Sequence, residues 1–367
     1  MLIIASLYVR GGRGRGVCAR MCSSQSANKV RFRARLEYDG QNFHGVQRNI
    51  RTQDGTELRT IRSTLEETLV PALGQPLKKL QLAGRTDAGV SAMGQVLTFD
   101  AETAQKELLD TEAQCSDVLL SVNGQPLPVS ALAEAINACL PSDLRVKSVD
   151  VVPRSFDVVR DCKWKTYRYS LPPCHPDEAD DDAMRVLKMV ASHADRAERN
   201  RLVQDGGVTP PKRRRRGRSR PALAITDVDA MSRAAALLEG THDFAAFRAS
   251  GGDQKGTVRT IFRCTIEPRQ GTERGEYDIV ISGDGFLYRM VRIIAGSLVT
   301  VGMELAPPDT VSIALAAELG PDATPKSELR RRGVVGPTLP PEQLCLEHVE
   351  YDTEFHVDTP VDGTRRP

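Results

Sequence analysis

At 367 residues, 40% apolar and 27% charged, the chain has the composition of a globular protein with one large core or two ordinary domains. It contains no run of 18 apolar residues, which excludes a membrane-spanning helix. A formal net charge of +2 excludes a wholly basic nucleic-acid coat, and removing the seven basic side chains of 212–220 ("KRRRRGRSR") leaves 43 basic against 48 acidic residues. Any nucleic-acid site in the folded part must therefore be a local patch.

The first acidic residue is Glu37, and before it lie Arg10, Arg13, Arg15, Arg20, Lys29, Arg31, Arg33 and Arg35 among serines. Residues 1–30 read as a disordered basic leader. They fit an organellar transit peptide, a plain basic tail, or translation starting at Met21. The apolar opening "MLIIASLYV" has no charged n-region, so secretion is not expected. Cys18, Cys22, Cys115, Cys139, Cys162, Cys174, Cys264 and Cys345 form no CxxC pair and read as reduced thiols of an intracellular protein. Cys162, Cys174 and His175 fit no standard zinc spacing.

Residues 31–38, "RFRARLEY", alternate strictly. Phe32, Ala34, Leu36 and Tyr38 point one way and charged residues the other, which predicts a half-buried strand turned by Asp39-Gly40. Ile61, Leu65 and Leu69 predict an amphipathic helix stopped by Pro71 and Gly74. Lys79–Ala83 and Gln95–Phe99 read as strands flanking a glycine-rich turn. A second helix is expected from an N-cap at Ser130 through Leu132, Ala135, Ile136 and Cys139 to Pro141. "LRVKSVDVV" and "TYRYSL" read as strands, the latter with Tyr167, Tyr169 and Leu171 on one face. Residues 172–221 carry an acidic cluster, a polar helical-looking stretch and the arginine run, and read as a long insertion, largely disordered from about 203. Its basic block fits a nuclear-import signal, an RNA-grasping arm or a solvated loop. Thr226 and Asp229 suggest a capping box for a helix ending at Gly240. Strands follow at 257–267 and 277–283. "GDGFLYRMVRIIAGSLVTVG" predicts a helix with a stripe of Met290, Ile294, Ser297 and Val301, its small residues permitting close approach. Residues 303–337 look loop-rich, and "LCLEHVEY" closes as a strand.

This order fits an α+β chain with a mainly antiparallel sheet flanked by helices: an N-terminal half over 31–150, a C-terminal half over 151–355, a cleft between them, and a tail at 356–367. Helices are too few for all-parallel crossovers, and no Walker loop or GxGxxG is present.

The chemistry concentrates in "LAGRTDAGVSAMGQV", where Arg85 and Asp87 lie among Gly84, Gly89 and Gly94. An aspartate there can be a simple turn former. Three features favour chemistry: Arg85 flanks the same turn, Tyr167 lies on an alternating strand beside Lys163, Lys165 and Arg168, and Arg292 lies on a largely apolar helix. A cation facing a core is costly unless paired, and a carboxylate is its natural partner. An Asp87–Arg292 pair in a cleft would offer a nucleophile, or a stabiliser of an oxocarbenium-like sugar. Two-acid glycosidase chemistry lacks a second carboxylate in a motif; a tyrosine could move the proton instead.

"AGRTDAGVSAMGQVLTF" resembles the catalytic motif of the TruA family of tRNA pseudouridine synthases. "EYDGQNFHGVQRN", "INACLPSDLRV", "FDVVRDCKWKTYRYSL", "LLEGTHDFAAFRAS", "GFLYRMVRIIAGSLVTVG" and "LCLEHVEY" resemble further segments of that family in the same order. The resemblance covers about 31–355, less 172–221 and part of 303–337. It implies the pseudouridine synthase fold and isomerisation of uridine to pseudouridine on the 3′ side of the tRNA anticodon stem and its loop. Asp87 matches the catalytic aspartate that attacks the sugar or base, or otherwise assists loss of uracil. Arg85 matches the arginine that replaces the flipped nucleotide. Tyr167 matches the tyrosine that stacks on the base and helps remove the C5 proton, and Arg292 the cation paired with the aspartate. Lys163, Lys165, Arg168 and Arg289 are further candidates for RNA contact. Neither cofactor nor metal is implied; the partners implied are tRNA and a second copy of the chain. Departures are Val46, where the family often has tryptophan, Ser91, where it has histidine, and Val159, where it usually has arginine; these bear on the RNA path. The insertion points to a eukaryotic member, with mitochondrion, plastid, nucleus and cytosol all open. A non-catalytic tRNA-binding protein or chaperone on the same scaffold is the competing reading. A carboxylate nucleosidase that releases free base is another. His44, His242 and His348 read as ordinary polar contacts, and Trp164 as packing or RNA-facing.

Overall fold

The alternation of the first strand is realised in β1 (Asn28–Tyr38), whose Phe32, Ala34, Leu36 and Tyr38 are buried in the core. The computed structural model describes residues 28–47, 52–103, 119–173, 180–204, 223–251, 256–269, 271, 276–316, 329 and 333–352. The basic leader, the arginine run at 212–220, Cys18, Cys22, Cys115, Cys174, His175 and the tail at 356–367 lie outside the described residues.

After β1 come α1 (Ile61–Leu73), β2 (Lys78–Leu82), β3 (Ser91–Thr103), the hairpin β4 (Leu119–Val122) and β5 (Gln125–Pro128), α2 (Val129–Asn137), β6 (Leu144–Val152) and β7 (Trp164–Ser170). The second part continues with α3 (Asp181–Gln204), α4 (Val228–Ala236), β8 (Gly240–Asp243), β9 (Val258–Pro268), β10 (Tyr277–Gly283), α5 (Met290–Gly302), α6 (Thr310–Ala316) and β11 (Leu344–Glu350).

Among the described residues the two expected halves share one sheet of nine strands in the order β6-β1-β3-β11-β7-β10-β9-β8, with β2 added on β3. Every pairing in it is antiparallel except β3 with β11, where Ser91 and Ala92 face Cys345 and Leu346. One edge of β3 follows β1; the other is divided between β2, near residues 97–100, and β11, near 91–92. The halves therefore meet within one sheet, where β3 exchanges β2 for β11.

The second face of β1 differs from the half-solvated one that alternation suggests. Arg31 and Arg33 are buried, and both meet Phe156, Arg33 with its guanidinium 5.9 Å from the ring centroid. Arg31 donates to both carboxylate oxygens of Asp100 at 2.7 and 3.2 Å and to the Phe156 carbonyl at 2.7 Å. Arg33 pairs with Asp150 at 3.1 Å. Buried cations need such partners, since desolvating them alone is prohibitive.

Several boundaries move for local reasons. Helix α1 runs through Pro71 and stops only at Gly74, which takes the left-handed conformation at φ 63°. In α2 the cap is Pro128, and Ser130 lies inside the helix. In α4 the cap is Asp227, which accepts from the Ala230 amide at 2.6 Å. Thr226, the expected cap, instead donates to Glu304 at 2.8 Å. The polar, helical-looking stretch after the acidic cluster is the helix α3, which buries Val186, Leu187, Val190 and Ala197. The whole of α5 is buried, not one stripe of it. Its Gly296 allows this: a Cβ there would sit 2.0 Å from the Pro337 carbonyl, so the 334–341 strap can lie on the helix only over glycine. Among the described residues Cys139, Cys162, Cys264 and Cys345 are free thiols.

Candidate active site

Loop 83–90 joins β2 to β3 where β3 changes partners. Its backbone is tied on several sides. Ala83 N–H donates to the Val96 carbonyl at 2.8 Å, Val46 N–H to Thr86 at 3.3 Å, and Gly89 N–H to Phe43 at 3.2 Å. These ties present Asp87 toward a cavity of about 440 Å³, within the range of about 300–1,000 Å³ common for small-molecule sites.

Asp87 and Arg292, 205 positions apart in sequence, meet there. Arg292 Nη1 donates to Asp87 Oδ2 at 2.8 Å, the arginine side chain being 10% and the aspartate 22% exposed. The arginine is itself held: its Nε donates to the Leu339 carbonyl at 2.7 Å, and Leu339 N–H returns a bond to the Arg292 carbonyl at 3.2 Å. The Tyr169 hydroxyl fastens the next residue of the strap, donating to the Pro340 carbonyl at 3.1 Å. The guanidinium is thus aimed before any substrate arrives.

Tyr167 forms one wall. It lies on β7 between Leu346 of β11 and Ile281 of β10, edge-on to Phe286 with ring centroids 5.1 Å apart. Burial, reinforced by Tyr38 and Asp87, pushes its phenol well above the ordinary tyrosine value, so it is neutral at physiological pH. Arg289 stands at the mouth. It adopts φ 58°, packs over the Tyr288 ring at 4.8 Å, and brings its Nε to 3.9 Å from Asp87 Oδ2. A non-glycine residue in this conformation carries strain of the kind that collects at functional sites. Arg85 is exposed on the rim and donates to Gln47.

The remaining RNA-contact candidates do not join the cavity. Lys163 pairs with Asp352 at 2.7 Å. Lys165 shares the Tyr167 face of β7 but lies beyond the pocket lining, its pKa lowered by burial. Arg168 faces the opposite side of the sheet, bound by Asp278 at 3.0 Å and by Glu347. Sequence neighbourhood with Tyr167 suggested a common site; strand alternation separates Arg168 from it. Phe286 and Tyr288 add an aromatic wall that the motifs do not single out, although "GFLYR" carries that signal. His44 lines the cavity too, and Val46, flagged as a departure, is part of its wall.

An aspartate–arginine pair beside a buried phenol, in a pocket open to solvent on a mainly antiparallel sheet, has the form of an enzyme site. Residues 234–352 match the family model described as tRNA pseudouridine synthase. The chain is similar to tRNA pseudouridine synthase A of Geotalea uraniireducens, 32% identical over 317 residues, covering 86% of this chain and 97% of that protein. It is similar also to tRNA pseudouridine synthase A of Lysinibacillus sphaericus, 30% identical over 321 residues, with 88% and 99% covered. A third relative, from Ruminiclostridium cellulolyticum, is 31% identical over 275 residues, with 74% and 84% covered. The chain belongs to the tRNA pseudouridine synthase family and is an isomerase.

Proposed function

We propose that the chain converts a uridine of the tRNA anticodon stem-loop to pseudouridine, with Asp87 as the reacting carboxylate. The observation that supports this best is the 2.8 Å pair between Arg292 and Asp87 beside the neutral phenol of Tyr167. A uridine in a stem must leave the stack, at a cost of about a few kcal/mol. Arg85, exposed on the rim, occupies the gap the base leaves and offsets part of that cost. Arg289 meets the phosphate of the extruded nucleotide.

In the pocket the N1–C1′ bond breaks as Asp87 supports the developing positive charge on the sugar. The detached uracil turns against the Tyr167 ring, and C5 bonds to C1′. N1 finishes with a proton and C5 loses one, so atoms balance without a co-reactant. Because burial keeps the Tyr167 phenol protonated, it holds and orients the base while the C5 proton passes to the Asp87 carboxylate, which returns a proton to N1 directly or through water.

The test compares two transcripts, an anticodon arm and a T arm, incubated with the purified chain and mapped by carbodiimide modification and primer extension. Pseudouridine on the 3′ side of the anticodon stem or in its loop, and none in the T arm, is expected. Modification confined to the T arm would reject the proposed substrate region. Free uracil in the supernatant would favour a nucleosidase, and binding without modification would favour the non-catalytic reading.

A further inference from the structure

Behind the reacting loop lies a polar cluster that the mechanism does not use. Gln95, on β3, is fully buried. Its Oε1 accepts from the Gly84 amide at 3.1 Å and from the Val96 amide at 3.2 Å, while its Nε2 donates to the Gly84 carbonyl at 2.9 Å and to the Tyr38 hydroxyl at 3.4 Å. The two backbone donors on one side and the backbone acceptor on the other fix which end of the amide is oxygen. The Tyr38 oxygen thus accepts a hydrogen bond from Gln95 and shares a second with Thr86 Oγ1, 2.9 Å away, in which either hydroxyl can donate. The Tyr38 phenol stays protonated across the physiological pH range, being pushed up to about 12, chiefly by burial.

The cluster grips the loop at two points. Gln95 closes a two-point amide pair with Gly84, as a neighbouring strand would, and Tyr38 holds the side chain of Thr86, the residue before Asp87. Both anchors come from the central strands β1 and β3, in which Leu36 faces Gln95. The cluster also backs the opposite wall, since a Cβ at Gly84 would lie 3.6 Å from the Tyr167 hydroxyl. Burying a glutamine, a tyrosine and a threonine costs far more than burying apolar residues of similar size unless all their polar atoms are satisfied. An apolar trio could fill the same volume, but it could not fix the direction of a short loop with no secondary structure of its own.

We infer that Gln95, Tyr38 and Thr86 are positioning residues: a buried hydrogen-bonded brace that sets the Asp87 carboxylate against the reacting sugar. This rests on the proposed reaction at Asp87. A displacement of about 1 Å at a reacting group is enough to cost on the order of 10²-fold in rate, so a brace has a kinetic signature that packing alone lacks.

The variants are Tyr38→Phe, Thr86→Val, the two combined, and Thr86→Ser. Two readouts are taken: amide hydrogen exchange over 83–90 in the free protein, and the single-turnover rate at saturating protein with the dissociation constant for tRNA measured alongside. Tyr38→Phe and Thr86→Val are each expected to speed exchange in 83–90 and slow the chemical step by about 10- to 30-fold, with tRNA affinity within about twofold. The double variant is expected to be no slower than the worse single one, because both remove the same bond. Thr86→Ser, which keeps the hydroxyl, is expected to regain most of the rate lost in Thr86→Val. Unchanged exchange in 83–90 would overturn the brace whatever the activity. Faster exchange with an unchanged rate, or additive losses in the double variant, would overturn its link to the chemistry. A wild-type chain without turnover would remove the proposed reaction and the positioning role with it. The exchange data would still report whether the cluster holds the loop, so the two failures are separable.

Discussion

Asp87→Asn is expected to lower the single-turnover rate of pseudouridine formation by roughly 10⁴-fold or more, the scale seen when a reacting group is removed from a site that acts as a unit. The dissociation constant for tRNA should change by less than about threefold. Asparagine is nearly isosteric with aspartate, and its amide oxygen can still accept the Arg292 Nη1 bond that is 2.8 Å long in the native site. The ties that shape the loop, from Gly84 to Gln95 and from Gly89 to Phe43, do not involve the carboxylate. The variant therefore removes the charge and leaves the geometry. Asp87 is 22% exposed, so the thermal midpoint should fall by only a few degrees, as for a partly solvated pair. Turnover within about tenfold of wild type at equal tRNA occupancy would take Asp87 out of its role.

Arg292→Met is expected to produce the second largest effect, about 10²- to 10³-fold in rate, comparable to deleting one preorganised charge-stabilising donor. Methionine fills most of the apolar length of the side chain but leaves the Leu339 carbonyl without its 2.7 Å bond and Asp87 without its 2.8 Å partner. A lowered thermal midpoint should accompany the kinetic loss, because a buried acceptor is left unsatisfied. Arg292→Lys should regain only part of the rate. An ammonium is a point charge and cannot serve the strap carbonyl and the carboxylate together as the planar fork does. Arg289, with its Nε 3.9 Å from the same carboxylate oxygen, sets the residual activity. A rate for Arg292→Met within threefold of wild type, measured on folded protein, would contradict the central place given to the pair.

The legible parts of the molecule were those with a strong local period or a fixed turn. β1 could be read from its alternation, α5 from its apolar run and small residues, and the closing strand from "LCLEHVEY". The pairing of Asp87 with Arg292 was also accessible, because a lone arginine on an apolar helix demands a carboxylate. The β4–β5 hairpin was missed despite Asn123 and Gly124, whose φ values of 50° and 79° make the two-residue turn. The two prolines in "QPLP" argue against a strand, and they are tolerated because the pair forms its own two-stranded sheet. The helical character of α3 was legible but its burial was not, because its polar residues outnumber its apolar ones. Burial of four of them is decided by tertiary packing, which no local pattern reports.

The brace was the least legible element. A glutamine in an inward position of a strand looks like a breach of the alternation rule, and only the approach of Gly84 and Tyr38 in space gives it a purpose. Arg168 shows the converse, sequence adjacency without spatial adjacency. It is adjacent to Tyr167 in sequence, yet its guanidinium is bound by Asp278 and Glu347 on the other face.

The most direct test uses a tRNA transcript carrying tritium at C5 of its uridines. Joining C5 to C1′ must expel the hydrogen at C5, so the purified chain should release tritium to water, one atom for each pseudouridine mapped, while all base remains in the RNA. Tritium retained in full by a chain that binds the transcript, or label recovered as free uracil, would contradict isomerisation in this pocket.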